Sequence, residues 1–182
     1  MSETAEKLMS VDEFIVWAED REGKWELHDG VPVAMTPERA HHSRVKAFVV
    51  NGLLVAIQRE GLSCAVYADG LAVRIGVRRA FIPDVLIVCP PAPDHALETD
   101  SPLLVVEVLP PSTAAFDHGA KLEAYFTLPS LMHCMLIDPD RRVLILHSRG
   151  RGDVIETRIL HDGSVRLDPP GLALEVGELF GF

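Results

Sequence analysis

Residues 81–109 read FIPDVLIVCPPAPDHALETDSPLLVVEVL. Apolar runs at both ends flank a segment rich in proline and acidic residues, a pattern typical of two β-strands joined by a loop. Asp84 follows a proline at the start of the first run, and Glu107 interrupts the second. An ionised carboxylate among valine and leucine side chains is costly to desolvate. We therefore expect Glu107 to lie near the sheet rim, to pair with a cation or to bind a metal ion.

The loop between the two runs predicts how they pair. Residues 90–101 are centred between positions 95 and 96. If the flanking strands are antiparallel, the numbers of opposed residues sum to about 191. Asp84 and Glu107 meet that sum, so they would face each other closely enough for one hard cation such as Mg²⁺ to bridge them. A shift of one residue would instead place them on opposite faces of the sheet.

The rest of the chain alternates helix and strand patterns. Ser10 and Glu13 have capping-box spacing before a short helix over residues 11–20, and Asp29-Gly30 suits the turn of a β-hairpin within residues 25–33. A long amphipathic helix is predicted over residues 40–59 with Gly61 as its stop, and Ser112-Thr113 can cap a second principal helix ending near residue 128. Strands are predicted at 63–67, 71–75, 81–89, 103–109, 132–138, 142–147, 154–160 and 164–167.

These elements predict an α+β fold, in which a central, mainly antiparallel or mixed sheet is flanked by helices. A length of 182 residues fits a single domain over residues 1–182. No stretch is long and apolar enough for a membrane span, and the N-terminus does not resemble a signal peptide, so we expect a cytoplasmic protein with no membrane partner. Three scattered cysteines, Cys64, Cys89 and Cys134, lack CxxC spacing and are interpreted as buried core thiols.

The helix after Glu107 adds side chains to the same region. Asp117, Lys121 and Tyr125 recur at four-residue spacing and share one helix face. A lysine ammonium beside two metal-binding carboxylates would orient a water nucleophile or stabilise negative charge in a transition state. Glu26, on the hairpin, would supply a further carboxylate. Taken singly, Asp117 and Lys121 also fit an exposed ion pair of little energetic weight.

Other motifs are less informative. His41 and His42 precede the long helix, where adjacent side chains diverge too far to chelate one metal ion together, although one of them can reach the site. GxGxxG and P-loop patterns are absent, so no nucleotide cofactor is expected. The net charge of −10 disfavours binding of nucleic acid by broad phosphate neutralisation. A carboxylate-rich metal site weakens that objection, because bound cations reverse the local field.

Asp84 after a proline, followed by Glu107 in an apolar strand, resembles the PD-(D/E)XK nuclease pattern, although Leu109 stands where that pattern has lysine. The chain from about residue 10 to residue 142 resembles the Uma-two family. The matching segments are SVDEF (10–14), WELHDG (25–30), PD (83–84), VEVLPPST (106–113), Asp117, Lys121, Tyr125 and ID (137–138).

That resemblance implies a restriction endonuclease-like fold, with the lysine moved to the helix after the second acid. It implies a catalytic set of Glu26, Asp84, Glu107 and Lys121. It also implies that Asp84, Glu107 and the backbone carbonyl of Val108 would bind Mg²⁺ or Mn²⁺.

Together these patterns predict a metal-dependent endonuclease that acts on nucleic acid, with DNA favoured over RNA. We expect a homodimer, because cutting two strands calls for two sites. Two alternatives stay open. One is a catalytically silent module that keeps the nuclease fold as a partner-binding scaffold, as the acidic charge and the lack of a basic stretch would allow. The other is an enzyme that hydrolyses a smaller phosphoester.

Overall fold

The computed structural model describes residues 8–110 and 115–181, with the side chains of residues 115–118 excepted. The helices in this part of the chain are α1 (Val11–Glu19), α2 (Ala40–Glu60), α3 (Ala115–Phe126) and a 3-10 helix (Val176–Phe180). The strands are β1 (Trp25–His28), β2 (Val31–Ala34), β3 (Ala65–Ala68), β4 (Ala72–Ile75), β5 (Arg79–Phe81), β6 (Val85–Val88), β7 (Glu98–Thr99), β8 (Pro102–Val108), β9 (His133–Asp138), β10 (Val143–Arg149), β11 (Ile155–Leu160), β12 (Ser164–Leu167) and β13 (Leu172–Glu175).

A six-stranded sheet with the order β11-β10-β9-β8-β6-β3 forms the centre of the molecule. Strands β8 and β9 pair parallel, and the other neighbours pair antiparallel. The apolar side of α2 packs on one face of this sheet together with the β12-β13 hairpin and the 3-10 helix. On the other face, α3 packs with residues of β4 and β5. The predicted α+β architecture, a mainly antiparallel sheet between helices, is confirmed.

A second sheet, with the order β2-β1-β5-β4-β7, was not predicted as a separate layer. The prediction of one strand over residues 81–89 was wrong, because β5 ends at Phe81 in this second sheet and β6 begins at Val85 in the central one. Pro83 has no N–H group to donate to a strand ladder, so the chain leaves one sheet there and enters the other. Asp84 lies at this crossing.

Local signals in the sequence were accurate. Ser10 and Glu13 form the predicted capping box, and α2 ends at Gly61 with a left-handed φ of 63°. Asp29 and Gly30 have φ values of 49° and 91°, as a tight hairpin turn between β1 and β2 requires. The predicted cap at Ser112-Thr113 lies outside the described residues.

The interpretation of all three cysteines as core thiols was wrong for two of them. Cys64 and Cys89 form a disulfide bond, whereas Cys134 is a buried free thiol. Cys64 immediately precedes β3 and Cys89 immediately follows β6, and these strands pair antiparallel with Ala65 opposite Val88. The two cysteines are therefore at opposed positions, with a Cα–Cα distance of 4.3 Å. A pairing set by strand register leaves no spacing motif in the sequence.

Candidate active site

The register of β6 and β8 brings the two predicted acids together. Val85 is opposite Val106 and Leu86 is opposite Val105, so Asp84 falls opposite Glu107. The register predicted from the loop is confirmed; it shifts only between Ile87 and Val88, farther along β6. Asp84 and Glu107 are both buried, each 7% exposed. The backbone N–H of Val108 donates a hydrogen bond of 2.6 Å to Oδ2 of Asp84, which ties the two strand ends together.

Glu107 is buried beside Tyr125. Tyr125 Oη donates a hydrogen bond of 2.8 Å to its Oε1. The pKa of Glu107 is raised to about 8, chiefly by burial and also by the charges of Asp84 and Glu26, although Lys121 and the Tyr125 hydrogen bond act in the opposite direction. At neutral pH this carboxyl therefore holds a proton unless a cation replaces it.

Glu26 and Lys121 meet at the same site from two other elements. Lys121 Nζ, on α3, donates a hydrogen bond of 2.8 Å to Oε1 of Glu26, on β1. The backbone N–H of Ile82 donates to the same oxygen at 3.0 Å, and His28 Nε2 lies 2.8 Å from Oε2. Burial alone would raise the pKa of Glu26, but these hydrogen bonds and the charge of Lys121 together lower it. Glu26 is thus an ionised anchor that holds Lys121 over the ring of Phe81, 5.3 Å from its centroid.

Asp84 is held from its other side by α2. His42 Nε2 lies 3.3 Å from its Oδ2, and Lys46 Nζ lies 3.3 Å from its Oδ1. Lys46 is only 5% exposed and also pairs with Glu38 and, at 2.6 Å, with Asp69. Burial would raise the pKa of Asp84, but the hydrogen bonds from His42 and Val108 and the charge of Lys46 lower it. At neutral pH and without a metal ion, Asp84 is therefore ionised and Glu107 is protonated.

Three of these residues were not predicted as part of the site: His28, Glu38 and Lys46. His28 is two residues after Glu26 on a strand, and that spacing puts both side chains on one face. Lys46 follows His42 by four residues, so the two share a face of α2. These spacings could have been noticed in the sequence. The contacts of Lys46 with Asp69 and of Glu26 with Lys121 join residues 23 and 95 positions apart, and these contacts could not be predicted.

The donor atoms at this site suit a hard divalent cation. Asp84, Glu107 and the Val108 carbonyl supply oxygen ligands of the kind that Mg²⁺ and Mn²⁺ prefer. A second group shares Asp84: ligand atoms of Glu38, His42 and Asp84 lie within 4.8 Å of one another. Lys46 already pairs with two members of this second group, Glu38 and Asp84, so a cation there would compete with its ammonium. In the predicted set, Lys46 pairs with Asp84 alone among the contacts described above.

An open cleft of about 650 Å³ gives access to these groups. Glu26, Asp84, Glu107, Val108 and Lys121 all line it. All residues predicted from the sequence as catalytic or metal-binding thus converge on one cavity. Of the neighbouring candidates on α3, Tyr125 is fully buried beside Glu107, and the Asp117 side chain is outside the described part of the structure.

The fold is that of a restriction endonuclease-like protein. The chain belongs to the Uma2 (Uma-two) family, described as "Putative restriction endonuclease", whose model matches residues 11–177. It is 27% identical to "Uncharacterized protein slr1290" of Synechocystis sp. over 94% of this chain and 91% of that protein. It is 26% identical to "Uncharacterized protein sll1609" of the same organism, over 72% of this chain and 76% of that one.

A solved structure shares the fold. It is the crystal structure of a "putative nuclease belonging to DUF820" from Anabaena variabilis ATCC 29413, with a TM-score of 0.75 and 17% identity. The match covers 94% of this chain and 97% of that chain. In the described parts of our structure, no helix has both the length and the apolar character needed to cross a bilayer.

Proposed function

We propose that this chain is an endonuclease that depends on Mg²⁺ or Mn²⁺ and hydrolyses phosphodiester bonds of nucleic acid, of DNA in preference to RNA. One observation carries the proposal: buried Asp84 and Glu107 at opposed strand positions share a cleft with Lys121. Membership of the Uma2 family supports nucleic acid as the substrate. Burial and the nearby charge of Asp84 make ionised Glu107 costly, and a bound cation would offset that cost.

Asp84, Glu107 and the Val108 carbonyl would hold the ion. When bound, a divalent ion supplies Lewis-acid chemistry to a phosphodiester and lowers the pKa of bound water. The hydrogen bond from Val108 N–H to Asp84 Oδ2 orients this carboxylate, and the hydrogen bond from Tyr125 orients Glu107. The protein thus sets both acids in place before any substrate arrives.

Lys121 is the group that we assign to the attacking water. Its ammonium lies in the cleft on α3 and is held there by Glu26, which Ile82 N–H and His28 hold in turn. From that position it orients a water molecule and stabilises negative charge that develops on the phosphoryl oxygens. Leu109 occupies the place of lysine in the usual PD-(D/E)XK order, and we propose that Lys121 takes over its role from the helix.

The assay incubates the pure protein with single- and double-stranded DNA and RNA, in Mn²⁺ or in EDTA. We expect cleavage with Mn²⁺, none with EDTA, and a loss of at least about a hundredfold in Asp84→Ala and in Lys121→Met. Asp94→Ala, which removes an exposed acid from the loop before β7, is the control and should retain full activity. Equal residual cleavage in the wild type and Asp84→Ala would contradict the proposal.

Calorimetry separates the enzyme from the catalytically silent scaffold. The wild type should bind Mn²⁺, and Glu107→Ala should lose most of that binding. A protein that neither binds Mn²⁺ nor cleaves any substrate of the panel would be a scaffold. Cleavage of small phosphoesters alone would point to the other alternative, an enzyme that hydrolyses a smaller phosphoester.

We also propose that the protein is cytoplasmic and works as a single-domain homodimer. In a reducing cytoplasm Cys64 and Cys89 would be kept as thiols. The redox state of this pair in protein trapped directly from cells would therefore distinguish a cytoplasmic location from an oxidising compartment.

A further inference from the structure

Strand β11 is an edge of the central sheet, and no other strand in the described part of the chain pairs with its outer side. It pairs with β10 on one side and ends the strand order of that sheet on the other. Every residue from Ile155 to Ile159 is exposed, including two isoleucines at 41% and 65% of their surface. A free edge presents unpaired N–H and C=O groups that can pair with another strand.

The sequence of this edge is complementary to its own reverse. Residues 153–161 read DVIETRILH, with Thr157 at the centre. Positions equally distant from Thr157 carry an acid and a base or two apolar side chains. The matched positions are Glu156 with Arg158, Ile155 with Ile159, Val154 with Leu160, and Asp153 with His161.

We propose that two copies of this chain pair antiparallel through β11, with Thr157 on the two-fold axis. In such an isologous interface each contact between different residues occurs twice. Glu156 of each copy would lie opposite Arg158 of the other, and Ile155 opposite Ile159. Directly opposed side chains of an antiparallel pair point to the same face and touch. Both types of pair are therefore formed without any rearrangement of the strand.

The charged contacts and the apolar contacts lie on opposite faces of β11. Arg158 is opposite Leu146 of β10 and Glu156 is opposite Ser148, so the charged pair lies on the face that also carries β12. Arg158 Nη2 makes a long contact of 3.4 Å with the carbonyl of Arg166 on that face. Ile155 and Ile159 lie on the other face. The paired strands would thus cover exposed apolar surface on one side and join opposite charges on the other.

Other registers of the same pairing are unfavourable. A shift of one residue places Glu156 or Arg158 opposite an isoleucine. A shift of two places Arg158 against Arg158, or Glu156 against Glu156, across the axis, and like charges directly opposed destabilise a strand pair. Charges on an edge commonly serve to prevent pairing. The order of charges on β11 favours the register centred on Thr157 over the neighbouring ones.

This interface is independent of the proposed nuclease activity. The C-terminal ends of β8 and β11 lie at the same end of the central sheet. Across the four strands β8, β9, β10 and β11, the successive opposed residues are Val108, Ile137, Leu144 and Leu160. Val108 and Leu160 are the last residues of β8 and β11. A two-fold axis through Thr157 reverses that direction in the partner. The two clefts would therefore open at opposite ends of one continuous twelve-stranded sheet.

Sedimentation equilibrium over a wide range of protein concentration tests the proposal. The wild type should shift reversibly from 20.0 kDa to twice that mass. Arg158→Glu places Glu opposite Glu at both ends of the pair and should weaken dimerisation by roughly tenfold or more. Arg44→Glu makes the same change in net charge at an exposed position of α2 and should dimerise like the wild type. Circular dichroism checks that each variant is folded.

Two further samples make the test specific for this register. The double variant Glu156→Arg with Arg158→Glu restores opposite charges and should dimerise again. Glu156→Arg and Arg158→Glu should each dimerise at least about tenfold more weakly than the wild type when alone, and should form a heterodimer when mixed. A mass of 20.0 kDa at every concentration would overturn the proposal. So would a dimer that is unaffected by Arg158→Glu, or a mixture of the two single variants that stays monomeric.

Discussion

Tyr125 donates a hydrogen bond of 2.8 Å to Glu107 inside the protein, and the pKa of its own hydroxyl is raised well above the usual value by burial and by that carboxyl. The phenol therefore stays protonated and remains a donor whatever the state of Glu107. Since the Tyr125 ring also packs edge-on against Phe81 with centroids 5.6 Å apart, the donor has little freedom to turn away.

Removing this hydroxyl should affect both stability and metal binding. Tyr125→Phe loses a buried hydrogen bond, so we expect a loss of about 1 kcal/mol in the free energy of unfolding. It should also raise the pKa of Glu107 further, because the hydrogen bond favours the charged form, and weaken Mn²⁺ binding at neutral pH. The measurements are chemical denaturation and calorimetric titration with Mn²⁺.

Tyr67→Phe is the matched control for that experiment. Tyr67 Oη accepts a hydrogen bond of 2.9 Å from the backbone N–H of Ala92, away from the cleft. This variant should lose stability without any change in Mn²⁺ affinity. Equal Mn²⁺ affinities of Tyr125→Phe and the wild type would mean that Tyr125 does not act on the metal site.

The stability of the metal-free protein should fall with rising pH because of Glu107. Its pKa is about 8 when folded against a usual 4.5, so between these values the folded state holds a proton that the unfolded state has released. The stabilising contribution of this proton is complete below pH 4.5 and is lost as the pH rises through about 8. A decline of a few kcal/mol, roughly, is expected in EDTA.

Glu107→Gln carries no titrating group and should show a flatter profile over the same range. Excess Mn²⁺ should restore the stability of the wild type at high pH, because the ion binds the deprotonated form. The pKa values of Asp84 and Glu26 are lowered, so these two carboxylates stabilise the folded state at neutral pH. Their contribution to the free energy of unfolding is lost only as the pH falls below their usual pKa range. If Glu107→Gln has the same slope as the wild type in EDTA, the decline has another source.

Lys46 should prove far more important for folding than its neighbour in the same charge cluster. Lys46→Met would leave Glu38, Asp69 and Asp84 without their shared ammonium, at a cost of about 3–5 kcal/mol in the absence of metal. Lys24 is 47% exposed and pairs with Asp69 at 3.4 Å, so Lys24→Met should cost less than about 1 kcal/mol. Thermal unfolding in EDTA compares the two variants.

The same variant bears on the second group of ligands. Without the ammonium, the donor atoms of Glu38, His42 and Asp84 are open to a cation. We expect Mn²⁺ to raise the Tm of Lys46→Met by more than it raises that of the wild type. If Mn²⁺ raises the Tm of Lys46→Met by less than that of the wild type, Glu38, His42 and Asp84 are not a metal site.

The disulfide gives a prediction that does not involve the cleft. A bond that closes a segment of 25 residues between Cys64 and Cys89 should contribute about 3 kcal/mol under oxidising conditions. Reduction, or Cys64→Ser, should lower the Tm accordingly, whereas Cys134→Ser, at the buried free thiol, should leave the response to reductant unchanged. Peptide mapping without reduction should recover the linked pair, and its absence from air-oxidised protein would contradict the assignment.

Much of the fold and the main site could be predicted from the sequence where the controlling interaction is local. The capping box at Ser10, the turn at Asp29-Gly30 and the stop at Gly61 depend on a few neighbouring residues. The register that brings Asp84 opposite Glu107 agrees with the one expected from the centre of the loop of twelve residues. The strand pair is irregular between Ile87 and Val88, so Val88 with Pro102, next to the loop, is one residue out of that register, whereas Val85 with Val106 matches it.

What could not be predicted depends on contacts between distant parts of the chain. Nothing near Lys46 indicates that Asp69 and Asp84 will lie beside it, and nothing near Cys64 indicates Cys89. Strand β13 and the 3-10 helix were also missed, since their packing against α2 is a tertiary contact. The separation of residues 79–88 into two sheets follows from Pro83, but which sheet each half would join is decided by the whole core.

That crossing has a further consequence for how the protein becomes active. Glu26 belongs to the five-stranded sheet, whereas Asp84 and Glu107 lie at the ends of strands in the central sheet. Ile82 lies in the segment between the two sheets, and its N–H donates a hydrogen bond to Glu26. Partial unfolding of the smaller sheet would release Lys121 from its anchor yet leave the two central acids aligned. Amide exchange at Ile82 therefore reports the fraction of molecules in which its hydrogen bond to Glu26, the anchor of Lys121, is formed.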